Sequence, residues 1–305
     1  MLFDIDGVLV DIRKSYNSAI KKTVEYMLKS MTGKAFRGLV TDQIILKFRQ
    51  SGGFNNDTDT TYAITLATLA RAPKSIKEGR KFLIEVADNA DESGYVSVEK
   101  FLASYDIEKW KNQLNYPAPV KDSMLARVFD ELFYGPELFS KQDNLEPKYW
   151  AGGRPLIKND RISVSAKTMK KLHKMFGGKL AIVSGRSRLA AEYSLRSVMK
   201  CFNLDACVFL EDEKREYAKP NPYAIKRAME VMGAKAAVYA GDSVEDLIMA
   251  RRAEKELGVK IAFVGIYGNS PNPSKTVAQF RRDGVEAIAK SVNQLPNTIN
   301  KVLAA

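Results

Sequence analysis

Histidine and cysteine are scarce in this sequence. Its 305 residues include one histidine, His173, and two cysteines, Cys201 and Cys207. A lone histidine cannot pair with a second one in a zinc site or a catalytic dyad, and the two cysteines do not have CxxC spacing. We therefore expect acid–base chemistry to rest on carboxylates or lysines, and both thiols to be reduced, as in a cytosolic protein.

Long apolar runs are also missing. No run approaches the roughly 18 residues that a transmembrane helix needs. The first residues lack the basic segment and the apolar core that together mark a secretory signal. These absences predict a cytoplasmic protein that makes no use of a membrane.

Charge of one sign is in excess. Lysine and arginine number 48 against 36 acidic residues, which gives a net charge of +12. A basic protein can bind nucleic acid, but here the cations are scattered along predicted helices without interleaved aromatic residues. We interpret them as solvated helix faces that also attract anionic substrates, so nucleic acid is not the expected partner. We expect a monomer or a homodimer.

Apolar strands alternate with amphipathic helices in the second half of the chain. Predicted strands include "LAIV", "ACVFL", "AAVYA" and "KIAFV", each separated from the next by a helical pattern. This alternation is typical of a parallel sheet with helices on both faces. The opening "LFDI" is equally apolar and is assigned to the same sheet. The predicted fold class is α/β, with a Rossmann-like parallel sheet as its core.

Between the first strand and the rest of this sheet, the chain carries only helical patterns. Residues 13–151 contain several amphipathic helices and no convincing core strand. We therefore predict two domains. An α/β core comprises residues 1–12 and 152–305, and an inserted, all-helical domain comprises residues 13–151.

Polar residues follow the predicted strands where a site is expected. In open parallel sheets, sites form at the carboxyl ends of the strands. The candidates at strand ends or helix starts are Asp4, Asp6, Ser184, Gly185, Lys219, Asp242 and Asp246. Taken singly, each motif also suits an ordinary turn or helix start. Together they predict a single site at one edge of the sheet.

Clustered carboxylates repel one another and need a cation. A site made only of oxygen ligands suits Mg²⁺, which in turn favours phosphate oxygens. The hydroxyl of Ser184, the amide of Gly185 and the ammonium of Lys219 can hold the remaining oxygens of a phosphoryl group. Gly7 allows the sharp backbone change that would swing Asp6 back over Asp4.

These motifs, in this order, resemble the haloacid dehalogenase superfamily of phosphotransferases. "DIDGVLVD" resembles its first motif, "IVSGR" its second, "AKPNP" its third and "GDSVED" its fourth. The match covers residues 1–12 and roughly 155–270. The insertion between the first two motifs resembles the helical cap domain of that superfamily. The fourth motif is most similar to that of phosphoglycolate-phosphatase-like members.

The resemblance implies catalytic roles for two carboxylates. Asp4 would attack phosphorus and form an aspartyl-phosphate. Asp6 would protonate the leaving oxygen and then activate the water that hydrolyses the intermediate. True dehalogenases resemble this pattern but lack the second aspartate, so Asp6 argues for phosphate chemistry and against dehalogenation.

The resemblance also implies a metal site and a phosphate site. Mg²⁺ would be bound by Asp4, the backbone carbonyl of Asp6 and Asp242, with Asp246 supporting the site directly or through its neighbours. Ser184 and Lys219 would bind the phosphoryl group.

A polar loop in the helical domain is the candidate for substrate specificity. In "SGGFNNDTDT", the side chains of Asn55, Asn56 and Asp57 are available to hydrogen-bond a polar substrate. The alternative is a solvated turn between helices.

The function predicted from this sequence is Mg²⁺-dependent hydrolysis of a phosphomonoester. The expected substrate is a small phosphorylated metabolite. Alternatives are a phosphomutase with the same intermediate, a nucleic-acid end phosphatase, and a non-catalytic binding protein on the same fold.

Overall fold

The computed structural model describes residues 1–54, 56–285 and 287–303, with the side chains described as far as residue 300. The chain forms two compact units. One comprises Met1–Ile12 and the chain from Asp160 onward, and the other comprises Arg13–Asn159. We call them the α/β unit and the helical unit.

The α/β unit is built on a six-stranded sheet. Its strands are β1 (Leu2–Phe3), β4 (Ala181–Ser184), β5 (Val208–Phe209), β6 (Ala237–Gly241), β7 (Ile261–Ile266) and β8 (Ala287–Ala289). They pair in parallel in the order β5-β4-β1-β6-β7-β8. Both residues of β1 are fully buried, as expected for a strand covered on both faces. The predicted α/β fold class is confirmed.

Two short strands mark where the chain leaves and re-enters the α/β unit. They are β2 (Val10–Asp11) and β3 (Arg161–Ile162), which pair antiparallel. The helices of this unit are α8 (Ala166–Met175), α9 (Arg188–Leu195), α10 (Tyr223–Val231), α11 (Val244–Leu257), α12 (Pro273–Arg282) and α13 (Leu295–Leu303).

The end of the chain is where the sequence patterns are least informative. The helical pattern near residues 288–303 predicts one helix, but β8 occupies its start. The helix α12 is not predicted, because only Thr276 and Phe280 are buried along it and its apolar pattern is correspondingly weak.

The helical unit consists of α1 (Tyr16–Thr32), α2 (Asp42–Arg49), α3 (Asp57–Arg71), α4 (Ile76–Asp88), α5 (Tyr95–Phe101), α6 (Glu108–Leu114) and α7 (Met124–Asp143). The central helix is α3, which contacts each of the others. Within residues 13–54 and 56–159, the structure contains no strand.

One predicted domain boundary needs correction. Residues 152–159 were assigned to the α/β core, but they lie in the helical unit. The cause is local packing, because Leu156–Asn159 form a 3₁₀ turn that contacts α1 and α7. Leu156 and Ile157 are buried there, whereas the preceding Gly152 and Gly153 are exposed.

Candidate active site

Three neighbouring strands bring the predicted residues to one edge of the sheet. β1 lies between β4 and β6, and parallel strands end on the same side. Asp4 directly follows β1, Ser184 is the last residue of β4, and Asp242 directly follows β6. The topology therefore places these three side chains side by side.

A tight turn after β1 allows Asp242 to approach. Gly7 has a φ of +74°, a conformation that L residues with a side chain rarely adopt. A Cβ atom on Gly7 would lie 1.8 Å from Asp242 Oδ2. The turn is held by Asn269, whose Nδ2 donates to the Gly7 carbonyl over 2.9 Å. Glycine at position 7 is thus required by conformation and by space.

Three carboxylates form an acidic cluster. Asp4, Asp242 and Asp246 each offer an oxygen, and these atoms all lie within 4.8 Å of one another. Asp4 and Asp246 are buried and Asp242 is half-buried. Oxygen ligands this close together fit Mg²⁺.

Lys219 lies inside this cluster. Its Nζ is 3.1 Å from Asp4 Oδ1 and 2.7 Å from Asp246 Oδ1, and its side chain is fully buried. Two buried carboxylates therefore share one buried cation.

Asp246 is held on both of its oxygens. Oδ1 accepts from Lys219 Nζ and from the Tyr239 hydroxyl over 2.6 Å. Oδ2 accepts from the amide of Asp242 and from both the amide and the hydroxyl of Ser243. Ser243 in turn caps α11 by accepting from the amide of Asp246. Both oxygens of Asp246 are therefore already engaged by donors from the protein.

Burial sets the protonation behaviour of these groups. Burial raises the pKa of Asp4 to about 7, against the lowering effect of the Lys219 charge, and the charges of Asp246 and Asp6 add to the rise. Burial alone would raise the pKa of Asp246 too, but the charge of Lys219 and hydrogen bonds from Lys219, Tyr239 and Ser243 hold it below its ordinary value. The Lys219 pKa is raised, because the charges of Asp246 and Asp4 outweigh desolvation.

The second motif contributes Ser184 and Gly185. The Ser184 hydroxyl hydrogen-bonds to Asp4, which lowers the pKa of that carboxyl. Gly185 follows directly in the turn after β4 and is half-buried. Ser184 therefore contacts Asp4, and Gly185 is the neighbour of Ser184 in the chain.

Asp6 has partners that are not among the predicted site residues. Arg186 donates from Nε and Nη2 to Asp6 Oδ1 over 3.1 and 2.5 Å. Its Nη1 donates to Asp160 Oδ2 over 2.7 Å. The signal for Arg186 was present in the sequence, as a cation at a strand exit two residues from a candidate. Asp160 has no comparable signal, because it precedes β3 in an ordinary polar stretch.

The predicted specificity loop lies in the helical unit and has local structural contacts. The Asn56 side chain caps α3 by accepting from the amides of Thr58 and Asp59, over 2.8 and 3.3 Å. Asp57 accepts from Arg49 Nη2 over 2.6 Å. Asn55 lies outside the described residues. These contacts account for Asn56 and Asp57 without a substrate.

Among the described residues, no helix combines the length and the apolar character needed to cross a bilayer.

Comparison with known proteins gives a family match over most of the chain. The model of the haloacid dehalogenase-like hydrolases matches residues 1–254. Pyrophosphatase PpaX of Halalkalibacterium halodurans is 37% identical over 100 residues, which are 32% of this chain and 43% of that protein. The match thus spans less than half the length of this relative.

Two solved structures resemble the chain over nearly its full length. Phosphatase Tt82 from Thermococcus thioreducens is 25% identical and has a TM-score of 0.57, over 93% of this chain and 98% of that one. A predicted phosphoglycolate phosphatase from Haemophilus somnus is 14% identical and has a TM-score of 0.51, over 99% and 96% of the two chains. The second likeness supports the fold alone. The resemblance inferred from the motifs is confirmed at the level of the family.

Proposed function

This chain belongs to the haloacid dehalogenase-like hydrolases, and from that premise we propose that it is a Mg²⁺-dependent phosphatase of a small phosphorylated metabolite. We further propose that it works in the cytoplasm. The observation that carries the proposal is the environment of Asp4. This buried carboxylate lies 3.1 Å from the Lys219 ammonium and within a cluster of three aspartates.

The first half of the reaction transfers the phosphoryl group to the protein. An Asp4 oxygen attacks phosphorus, and the bond from phosphorus to the substrate oxygen breaks as the new bond forms. Asp6 gives its proton to the departing oxygen. The product alcohol leaves, and Asp4 carries the phosphoryl group as an acyl phosphate.

The second half releases phosphate. The Asp6 carboxylate, now ionised, takes a proton from a water molecule that attacks the same phosphorus. The bond between phosphorus and the Asp4 oxygen breaks, which restores both carboxyl groups to their starting states.

A buried lysine and neighbouring hydrogen-bond donors stabilise the negative charge of the transferred phosphoryl group. The Lys219 ammonium, the Ser184 hydroxyl and the Gly185 amide are the proposed partners of its oxygens. Asp246 accepts a hydrogen bond from Lys219 and another from the Tyr239 hydroxyl, so Asp246 positions the ammonium and Tyr239 holds Asp246.

Asp4, Asp242 and the backbone carbonyl of Asp6 would hold the metal, with Asp246 supporting them. When bound, Mg²⁺ supplies positive charge that offsets the repulsion between the carboxylates and the charge of the phosphoryl group.

The test is phosphate release from a panel of phosphorylated metabolites with and without Mg²⁺. The panel includes phosphoglycolate, sugar phosphates, histidinol phosphate and nucleotides. It also includes inorganic pyrophosphate, because the similar protein PpaX is named a pyrophosphatase. We expect Mg²⁺-dependent turnover of at least one compound, and loss of at least about 10⁴-fold of kcat in Asp4→Asn. This substitution keeps the shape of the side chain, so circular dichroism should be unchanged. Full activity of Asp4→Asn would contradict the assigned nucleophile, and no turnover of any compound would contradict the function.

A further inference from the structure

A buried guanidinium lies against the carboxyl to which the proposed function gives both proton transfers. Arg186 contacts Asp6 Oδ1 through Nε and Nη2, over 3.1 and 2.5 Å. The Arg186 side chain is fully buried, whereas 23% of the Asp6 side chain is exposed. The contact therefore links a partly exposed carboxyl, which a substrate can reach, to a guanidinium that solvent cannot reach.

The sheet register explains this approach. β1 and β4 pair in parallel with Phe3 opposite Ile182. Both segments continue past the last paired residues, so Asp6 lies beside the turn that follows Ser184. Arg186 belongs to that turn. Its proximity to Asp6 is therefore a consequence of the fold's central strand pair and not of a mobile surface side chain.

Two further side chains hold the Arg186 guanidinium in place. Its Nη1 donates to Asp160 Oδ2 and to Ser194 Oγ, each over 2.7 Å. Ser194 Oγ also donates to Asp160 Oδ2 over 2.6 Å, and the Asp160 side chain is 4% exposed. Rotating the guanidinium away from Asp6 would break these buried hydrogen bonds.

We propose that Arg186 is a positioning residue that fixes the Asp6 carboxyl for proton transfer to the leaving oxygen, and that Asp160 and Ser194 fix Arg186. The inference rests on the proposed phosphatase function. Two nitrogens of one planar guanidinium donate to the same oxygen, Asp6 Oδ1, and they fix the position of that oxygen more firmly than a single ammonium would. General acids need such alignment, because the proton must travel along a short hydrogen bond.

The dependence of rate on the leaving group separates this role from a structural one. p-Nitrophenolate departs readily without a proton, whereas phenolate is a much poorer leaving group and depends more on the general acid. The two phosphate esters share the phenyl phosphate core and differ only in the para nitro group. kcat/KM covers the steps up to departure of the leaving group, and its ratio for two substrates in one preparation does not depend on how much enzyme is folded.

The variants are Arg186→Gln, Arg186→Lys and Asp160→Asn, assayed with Mg²⁺ and both aryl esters. For Arg186→Gln we expect kcat/KM to fall about 100-fold with phenyl phosphate and less than about 10-fold with p-nitrophenyl phosphate. Asp6→Asn should show the largest loss of kcat/KM with phenyl phosphate relative to p-nitrophenyl phosphate. Arg186→Lys should recover only part of the loss, and Asp160→Asn should give a smaller loss of the same kind. KM should change little, because the proposed phosphate ligands are untouched.

A matched control lies two residues away. Arg188 is exposed at 46% of its side chain and faces Glu192, so Arg188→Gln should leave both rates unchanged. Equal losses with the two esters in Arg186→Gln would overturn the positioning role. If Arg186→Gln does not fold, the same ratio in Asp160→Asn and Ser194→Ala decides. A wild-type protein that hydrolyses neither ester nor any compound in the panel would instead overturn the proposed function, and this inference with it.

Discussion

Two buried carboxylates, one in each unit, differ in what surrounds them. Glu131 on α7 is 1% exposed and Asp4 after β1 is 3% exposed. Glu131 accepts from Arg127 Nε over 3.0 Å and from the amides of Lys148 and Tyr149 over 2.7 and 2.5 Å. Each of its oxygens accepts a hydrogen bond from a donor in the helical unit. The bonds from Lys148 and Tyr149 hold the segment after α7 against that helix.

Asp4 has the opposite surroundings. Two further carboxylates lie within 4.8 Å, and it shares Lys219 with Asp246. Negative charge is therefore concentrated in the α/β unit at a point where one cation serves two buried anions. Burial alone therefore does not distinguish Asp4 from Glu131. What distinguishes Asp4 is a local excess of negative charge, which a metal ion and the lysine proposed to bind the phosphoryl group would offset.

Lys219→Met gives the largest effect and tests the charge balance directly. Removing the cation leaves Asp4 and Asp246 as uncompensated buried charges, so we expect unfolding free energy to fall by about 3–5 kcal/mol. Activity should fall by a further factor of about 10²–10³, since the proposed phosphate ligand is lost. Denaturant unfolding and phosphate release measure the two effects.

The matched control for Lys219→Met is Lys226→Met on α10. Lys226 forms an exposed ion pair with Glu256 over 2.7 Å, so its loss should change stability by less than about 1 kcal/mol. If the two variants were equally stable, the buried lysine would not be balancing the acidic cluster.

Glu131→Gln tests the other side of the comparison. It removes the charge that Arg127 faces and turns one acceptor into a donor opposite a backbone N–H. We expect a loss of about 2 kcal/mol in unfolding free energy. At a temperature where the protein is folded, kcat/KM should stay within about twofold of wild type.

Glu137→Gln is the control for Glu131→Gln, because it places the same substitution at an exposed position of α7. It should be neutral within about 0.5 kcal/mol. A large activity loss in Glu131→Gln, with stability unchanged, would mean that the helical unit also carries a functional carboxylate.

The same comparison explains what the sequence reveals. Asp4 and Asp242 are predictable because each follows a strand, and parallel strands bring such positions together. Lys219 is predictable from its motif, which lies shortly before α10. Arg186 carries only the weaker signal of a cation after a strand, and Tyr239 carries none, because the contacts of both depend on how the strands pair. Arg186 meets Asp6 from 180 positions away, and Tyr239 reaches Asp246 from inside β6.

In the helical unit, several polar side chains are satisfied within their own helix. The Asn56 side chain caps the N-terminus of α3. Capping requires the same polar residue types as ligand binding, so the sequence of this loop does not distinguish the two roles. Along the same helix, Thr65 and Thr68 are buried, yet their hydroxyls donate to the carbonyls of Thr61 and Ile64 one turn earlier. Such self-satisfied polar groups give no sequence signal that separates structure from function.

Asp143→Asn gives the smallest effect on stability, and that effect depends on pH. Asp143 ends α7, and its Oδ2 is buried without a hydrogen-bond partner among the described residues. Burial raises the pKa of this carboxyl to about 6, against the lowering effect of Arg127. Because the folded-state pKa lies above the unfolded value, the carboxyl favours the folded state most below about pH 4, and this contribution is lost as the pH rises through about 6.

The asparagine variant does not titrate, so its stability relative to wild type should rise between about pH 4 and 6 and then level off. We expect a final gain of about 1 kcal/mol after allowance for solvent screening of this half-buried group. Thermal melts at a series of pH values measure it, with the exposed Asp106→Asn as control. A flat difference across this range would show that Asp143, like Glu131, is fully compensated. The predicted rise would instead show that Arg127 only partly compensates this buried carboxylate of the helical unit.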